Sequence, residues 1–257
     1  MLIEFIGCTS SGKSTIATRV VEKLESLGIK FILVEVGGDI RMDFATLPWF
    51  VCFAIHNFDF CAFAARIIVH GADSLLVGLN LFRNFAKKMG MYELLRKKKN
   101  NLIILSDEGT VHAVHNLFVY ANSLPQSTDV IRFACLVPKP DMIIYVKTSF
   151  ELATERTFKR GYRRAKHTLK EVRLFIKHAH ETFEILTSVA AIRNRLIAVN
   201  NFDNGTEEID NVADILVKQI LRQHRESNSG RPETLSPGKM AEKSKLCSTW
   251  FTNFSLF

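Results

Sequence analysis

The chain has 257 residues, of which 47% are hydrophobic, so it can bury one substantial core, and we expect a single domain. The formal net charge of +8 would suit nucleic acid, but the two densest basic runs, residues 87–100 and 156–173, lack the interleaved aromatic side chains of a base-stacking surface. Charge and composition therefore argue against a nucleic-acid-binding module.

Cysteine usage and hydropathy indicate the cellular compartment of the protein. The five cysteines show neither paired zinc spacing nor a CxxC motif, which predicts reduced thiols in a cytoplasmic protein. The N-terminus has no basic stretch before an apolar core, so no signal peptide is predicted. The most apolar stretch, residues 49–71, contains His56, Asn57, Asp59 and Arg66, which are costly in hydrocarbon. We predict a buried helix there and no transmembrane segment.

The first elements along the chain are a strand, a loop and a helix. "LIEFIG" is typical of a short buried strand, and "IATRVVEKLESLG" has the apolar spacing of a helix that stops at Gly28. The second strand is predicted in "IKFILVEVGGD", ending in glycines. Residues 48–98 are predicted to be largely helical, with Pro48 at the entry and a break near residues 71–73.

Strands and helices continue to alternate after residue 100. "NLIILSDEG" predicts a third strand, followed by a helical stretch through "HAVHNLFVYANSL". "PDMIIYVKT" predicts a fourth strand, Ser149 can cap a helix over 150–161, and another helix follows from about Thr168 to Ser188. "RLIAVNNFDNG" predicts a fifth strand and loop, before a final helix with acidic residues in its first turn.

This alternation predicts an α/β fold with three layers, in which a five-stranded, mainly parallel sheet has helices on both faces. Ligands of such sheets bind outside the carboxyl ends of the strands. From about Glu226 onward the sequence becomes polar and rich in Pro, Gly and Ser, which predicts disorder. We therefore expect a domain over residues 1–225 and a tail over 226–257.

The segment "GCTSSGKST", residues 7–15, matches the phosphate-binding motif GxxxxGK[ST] through Gly7, Gly12, Lys13 and Ser14. It stands between a predicted strand and a predicted helix, which is the context that the motif requires. Backbone N–H groups of such a loop converge on phosphate, Lys13 would reach the β- and γ-phosphates, and Ser14 would bind Mg²⁺. The nucleotide-binding residues predicted here are Gly7, Cys8, Thr9, Ser10, Ser11, Gly12, Lys13, Ser14 and Thr15.

Other motifs narrow the class of phosphate-binding protein. An NKxD-type guanine motif and an LSGGQ-like signature are both absent from the sequence, which disfavours GTPases and ABC-type ATPases. Asp107 follows the third predicted strand, where an acidic residue completes the Mg²⁺ site of P-loop enzymes. The expected ligands are therefore ATP and Mg²⁺, with Ser14 and Asp107 at the metal.

The passage "PDMIIYVKTSFELATERTFKRGYRR" resembles the strand, helix and lid of the thymidylate kinase and deoxynucleoside kinase group, whose lid carries RxxxR followed by glycine. "VEVGGD" is similar to the group's acidic station beside the acceptor, and "NNFDNG" to its adenine-contacting loop. The resemblance covers about residues 1–224. It implies an ATP-dependent transfer of a phosphoryl group to a small-molecule acceptor.

The resemblance assigns roles to several side chains. Arg156 and Arg160 would stabilise the transferred phosphoryl group from the lid, a use of fixed guanidinium groups that electrostatics supports. Glu35 would be the acceptor-side carboxylate, and Phe202 would contact adenine. Asp39 and Glu108 are alternatives to Glu35, and Arg163 and Arg164 could extend the arginine clamp or coat the lid.

The chain departs from the group's pattern after the third strand. The group usually places an arginine directly after the acidic residue, whereas Gly109 follows Glu108 here, and Arg41 is a candidate to replace that contact. This departure keeps open an ATP-binding regulator or scaffold without phosphoryl transfer. The basic balance also leaves phosphorylation of nucleic-acid 5′ ends as a third hypothesis.

Aromatic and histidine residues surround the expected acceptor region. The aromatic stripe in residues 49–63 lies where the group builds its acceptor pocket, although such stripes are more often core or an interface between two copies, so a homodimer is an alternative. His112 and His115 could line the acceptor site. Two histidines three residues apart can also bind metal, but no third ligand is suggested.

Overall fold

The computed structural model describes residues 1–34, 40–97, 102–119, 126–161, 168–201 and 206–229. Its centre is one five-stranded sheet in the order β2-β3-β1-β4-β5, with every neighbouring pair parallel. The predicted three-layer α/β fold with a five-stranded sheet is confirmed. The strands are β1 (Leu2–Ile6), β2 (Phe31–Val34), β3 (Ile103–Ser106), β4 (Met142–Lys147) and β5 (Leu196–Asn200).

Strand β1 lies at the middle of the sheet, and its side chains alternate between the two faces. Ile3 and Phe5 pack into one core, whereas Ile6 belongs to the core on the opposite face. Glu4 lies between them in sequence and is almost fully buried. The most buried strand thus carries a carboxyl group in its centre.

Helices cover both faces of the sheet. Helices α1 and α9 pack together in the core that contains Ile3 and Phe5, and the remaining described helices contribute to the cores on the other face. The helices are α1 (Lys13–Ser26), α2 (Ile40–His56), α3 (Phe58–Gly71), α4 (Leu75–Lys97), α5 (Ser127–Leu136), α6 (Phe150–Lys159), α7 (Leu169–Ser188), α8 (Ala190–Arg193) and α9 (Thr206–Ser229), with a π-helical turn over His115–Val119.

Local capping signals set several helix ends. Ser149 accepts a hydrogen bond from the backbone N–H of Leu152 at 3.2 Å, as its predicted capping role requires. Thr168 forms a reciprocal capping box with Glu171 at the start of α7. Gly28, with φ of +67°, follows the end of α1 and donates its N–H to the carbonyl of Glu25.

Helices α2 and α4 approach each other closely. A Cβ atom at Gly90 would overlap the carbonyl oxygen of Thr46 and would lie 3.1 Å from the backbone nitrogen of Phe50. Pro48 lies inside α2 and not at its entry, so that part of the prediction was wrong. Thr46 and Phe50, on either side of Pro48, both lie against Gly90 of α4.

Three other elements differ from the sequence prediction. Helix α5 was not predicted, although buried Val130, Phe133 and Ala134 have helical spacing. The helical stretch expected over 112–124 is a π-helical turn within its described part. Helix α9 continues to Ser229, past the expected start of the tail, and an ion pair of 2.9 Å between Arg222 and Glu226 joins successive turns there.

No single helix in the described ranges is long and apolar enough to cross a membrane. Ala45–His56 and Phe58–Gly71 reach the required length and composition only as a pair, and that pair is bent by 109°.

Candidate active site

The phosphate-binding motif forms the turn between β1 and α1, at the carboxyl end of the sheet. Gly7 and Gly12 have φ values of +151° and +89°, which side-chain-bearing residues rarely adopt. A Cβ atom at Gly7 would lie 2.6 Å from the carbonyl oxygen of Val146, and one at Gly12 would overlap the side-chain amide of Asn201. Both glycines are therefore required by the path of the loop.

Lys13 curls back over this loop. Its Nζ donates hydrogen bonds to the carbonyl oxygens of Gly7 and Cys8, each at 3.2 Å. Burial lowers the pKa of Lys13 from its ordinary value, and nearby acidic groups oppose that shift. The ammonium group thus lies inside the curve of the loop, where the motif binds phosphate oxygens.

Ser14 and Asp107 meet at the start of α1. The Ser14 hydroxyl donates a hydrogen bond of 2.9 Å to Asp107 Oδ2, although the two residues are far apart in sequence. The second carboxylate oxygen, Oδ1, is buried and has no hydrogen-bond partner among the described residues. A hydroxyl and a carboxylate with a free oxygen fit Mg²⁺, which binds few protein ligands and keeps several waters. No group of three His, Cys, Asp or Glu side chains with metal-binding geometry occurs in the described ranges.

Helix α6 brings three side chains to the same loop. Arg156 donates a hydrogen bond of 3.4 Å to the carbonyl oxygen of Ser10, and Thr157 donates one of 3.0 Å to the Ser10 hydroxyl. Arg160, the C-terminal cap residue of α6, lines the cavity beside the loop. Arg156 and Arg160 therefore both approach the phosphate-binding loop. Thr157 was missed by the sequence reasoning, which considered only the charged members of this segment.

Asn201 was also missed. It follows β5, is buried, and donates a hydrogen bond of 2.7 Å from its side-chain amide to the carbonyl oxygen of Ser11. Its position at the end of a strand in a parallel sheet was the available signal, since the ends of parallel strands meet at one edge. Asn201 fixes the middle of the phosphate-binding loop from the side of β5.

A cavity of about 220 Å³ opens beside the loop. Loop residues 9–15 and Arg160 form one side of it, and the segment after β3 forms the other. The residues of that second side are Glu108, His112, His115 and Asn116. The cavity thus joins the phosphate-binding elements to a separate group of polar side chains.

Glu108 is tied to α4 by an ion pair. Its Oε2 lies 2.7 Å from Nζ of Lys88, whose side chain is only 3% exposed, while that of Glu108 is 42% exposed. Burial raises the pKa of Glu108, but the charge and hydrogen bond of Lys88 and the charge of Lys13 outweigh this effect and hold it well below its usual range. The carboxylate is therefore ionised at the edge of the cavity.

His112 is fully enclosed behind this carboxylate. Its Nε2 lies 3.3 Å from the carbonyl oxygen of Gly7, and its Nδ1 has no hydrogen-bond partner among the described residues. Burial and the charge of Lys13 lower its pKa well below the ordinary value, so the ring is neutral. Because a carbonyl can only accept, the proton is assigned to Nε2, and Nδ1 is left as a buried acceptor. The ring of His115 stacks on His112, and its Nε2 lies 3.1 Å from the Thr9 hydroxyl.

The carboxyl group of Glu4, on β1, supports the segment after β3 through hydrogen bonds. It accepts backbone N–H groups of Gly109, Val111 and His112 at 3.1, 3.2 and 2.6 Å. A Cβ atom at Gly109 would lie 2.5 Å from the carboxyl carbon of Glu4. The arginine that the resembled group has at this position does not fit here, because Glu4 occupies the space.

Cys8 lies behind the loop and not in the cavity. Burial raises its pKa to about 11, and its sulfur lies 3.5 Å from Nε2 of His180. Loss of hydration outweighs the positive charges of Lys13 and Arg156, which alone would lower the pKa of this thiol.

The aromatic stripe is mainly core. Phe53, Phe60 and Phe63 are buried in the cluster beneath α3 and α4, whereas Phe58 is 73% exposed. The residues lining the cavity beside the loop do not include this stripe.

Several predicted site residues lie outside the described residues. They are Glu35, Asp39, Arg163, Arg164 and Phe202, together with the tail after Ser229. Arg41 lies in α2, in a part of the helix where the side chains are not described. A scan of protein-family models found no match to the chain, and a search of curated proteins found none either. Function must therefore be inferred from the arrangement of the side chains.

Proposed function

We propose that the protein is a P-loop phosphotransferase that moves the γ-phosphoryl group of ATP to a small-molecule acceptor. The observation that carries the proposal is the hydrogen bond between Ser14 and Asp107, at 2.9 Å, directly beside the phosphate-binding loop. A glycine-rich turn alone would not require these two side chains to meet. Together they form the hydroxyl and carboxylate pair that holds the metal of a bound nucleotide in P-loop enzymes.

The other contacts support a role in transfer as well as in binding. Lys13 lies within the loop, and Arg156 and Arg160 approach it from α6. A transferred phosphoryl group spreads negative charge over three oxygens, so cations that are fixed before the reaction stabilise the transition state. Mg²⁺, when bound, neutralises charge on the β- and γ-phosphates.

The transfer itself requires little covalent chemistry from the protein. The acceptor oxygen bonds to the γ-phosphorus while the bond to the bridging oxygen breaks, which gives the phosphorylated acceptor, ADP and one proton. The side chains bind, orient and exclude water. The cavity beside the loop has room for an acceptor on the side of Glu108 and His112.

We place this activity in the cytoplasm. The four described cysteines are free thiols, which is the usual state in a reducing compartment. The donor site lines a cavity with mainly polar side chains, which favours a small molecule as the partner.

Labelled ATP tests the proposal when binding and transfer are measured separately. Lys13→Ala should abolish transfer, whereas Lys30→Ala, at an exposed lysine outside the site, should not. Arg156→Ala and Arg160→Ala should each lower kcat by roughly 10²-fold or more, with a smaller effect on ATP binding. Normal turnover by Lys13→Ala would refute the assignment. ATP binding without any phosphorylated product from a cell extract would favour the regulator hypothesis.

A further inference from the structure

We infer that Glu108 and His112 form the acceptor subsite, that Lys88 positions Glu108, and that the group phosphorylated is an uncharged hydroxyl and not a phosphate. This inference rests on the proposed phosphotransferase function and names the substrate class of the same cavity. It follows from which groups line the cavity and from what each can accept or donate.

Glu108 is placed opposite the donor elements. It lines the cavity that loop residues 9–15 and Arg160 also line, and it is the residue directly after Asp107. When it is ionised, its carboxylate accepts hydrogen bonds and cannot donate any. A hydroxyl group satisfies this requirement by donating its hydrogen, which also points the oxygen lone pairs away from the carboxylate.

His112 sets the same requirement from a second direction. It lines the cavity, is 4% exposed, and has a buried Nδ1 without a partner among the described residues. Its Nε2 is already used by the carbonyl of Gly7 at 3.3 Å. A buried acceptor without a donor is costly, so a ligand that donates a hydrogen bond is favoured at this position.

A phosphate acceptor would fit these two groups poorly. A phosphate monoester is an anion rich in acceptor oxygens, and it would face a carboxylate and an imidazole lone pair that both need donors. A sugar, polyol or nucleoside hydroxyl presents a donor and no charge. The two cavity groups therefore favour an uncharged hydroxyl compound.

Lys88 acts through Glu108 and is a positioning residue. It reaches Glu108 from α4, across the space between that helix and the segment after β3, at 2.7 Å. The side chain of Lys88 is buried, so its ammonium group has little freedom to exchange the carboxylate for water. The carboxylate is thereby held at the cavity edge, with its other oxygen available to the acceptor. The hydroxyl proton is released to solvent as the oxygen bonds to the γ-phosphorus.

The substrate class is tested with a small-molecule cell extract separated by anion exchange. The unbound fraction contains neutral and cationic compounds, and the bound fraction contains phosphates. With ATP labelled at the γ-phosphate, the full-length protein should transfer label to the unbound fraction. Transfer only to the bound fraction would overturn this inference and leave the phosphotransferase function intact. Transfer to neither fraction, while the wild type binds ATP and Lys13→Ala does not, would overturn both.

The residue roles are tested with the acceptor found in that fraction. Glu108→Gln should lower kcat about 100-fold, because the amide lacks the charge that orients the acceptor hydroxyl, while ATP affinity changes less than about twofold. Lys88→Met should act in the same direction, and Lys88→Arg should recover most of the activity because it keeps the charge. Asp214→Asn breaks an ion pair of 2.6 Å with Lys23 between α1 and α9 and is the matched control, expected to leave kcat unchanged.

A double variant separates positioning from folding. Glu108→Gln leaves the buried ammonium group of Lys88 without its charged partner and lowers stability, whereas Lys88→Met combined with Glu108→Gln removes both charges. We expect the double variant to recover thermal stability but not kcat. Recovery of kcat together with stability, or equal losses of ATP binding and kcat in all three variants, would show that the pair is purely structural and would refute the role of Lys88.

Discussion

The carboxyl group of Glu4 makes the stability of the protein depend on pH. Burial raises its pKa from the ordinary 4.5 to about 7, against the opposing effect of hydrogen bonds from the backbone of His112, Val111 and Gly109 and of the charge of Lys88. Because the pKa is higher in the folded protein than in the unfolded chain, the stabilising contribution is complete below about pH 4.5 and is lost as the pH rises through about 7. At about 1.4 kcal/mol per pKa unit, the contribution is at most about 3 kcal/mol.

Glu4→Gln removes this titration and keeps the shape of the side chain. The variant should be less stable than the wild type at pH 5, because an amide nitrogen cannot accept the N–H of Val111, which costs about 1 to 3 kcal/mol. The difference should shrink, by up to about 3 kcal/mol, when the pH is raised from 5 to 8. Urea unfolding of both proteins at half-unit pH steps measures it.

Glu22→Gln is the control for this experiment. Glu22 makes an exposed ion pair on α1, with a side chain 50% exposed, so its replacement should change stability little across the same pH range. Wild-type and Glu4→Gln curves that run parallel from pH 5 to 8 would show that Glu4 has no raised pKa, and the reasoning from burial would be wrong.

Three further changes test the walls of the site. Gly12→Ala should abolish ATP binding and cost at least about 1 kcal/mol of stability, because φ is +89° and the new Cβ would overlap Asn201; ATP binding at wild-type affinity would contradict this. Asn201→Ala should destabilise the protein by about 1 to 3 kcal/mol and weaken ATP binding, because the carbonyl of Ser11 loses its buried donor. An unchanged midpoint of urea unfolding would exclude a stabilising role for this hydrogen bond. Iodoacetamide at pH 8 should modify the exposed Cys135 well before Cys8, because Cys8 is buried and its pKa is raised to about 11. Mass spectrometry of timed samples measures the two rates, and faster modification of Cys8 would refute its burial.

The donor half of the proposed site was predictable because its signals are local. The phosphate-binding motif is contiguous, and its glycine positions state the backbone geometry directly. Asp107 and the arginines of α6 follow strands of a parallel sheet, and the ends of such strands meet at one edge. Three short segments were therefore enough to place Ser14, Asp107, Arg156 and Arg160 around one loop.

The acceptor half was not predictable in the same way. The ion pair between Lys88 and Glu108 depends on how α4 docks on the sheet, and no sequence pattern states that angle. Lys88 belongs to the basic run over residues 87–100, and no sequence feature marks it as buried, yet its side chain is buried. Glu4 is similar, because a carboxyl in a central strand contradicts the apolar pattern, and only the three N–H groups above it explain why it is tolerated.

The glycine at position 109 shows how the two halves differ. In the sequence it is a missing arginine, which weakens the resemblance. In the structure it is the residue that lets the chain pass within contact distance of Glu4. The chain therefore departs from the motif here because Glu4 supports this segment from inside the protein. The departure does not by itself mean that the site is lost.

The close contact at Gly90 fixes the distance between α2 and α4. Gly90 lies two residues from Lys88, and its backbone touches that of Thr46 and Phe50 with no side chain between them. A side chain at position 90 would have to push α2 away from α4, the helix that carries Lys88. The spacing of the two helices therefore depends on a glycine at this position.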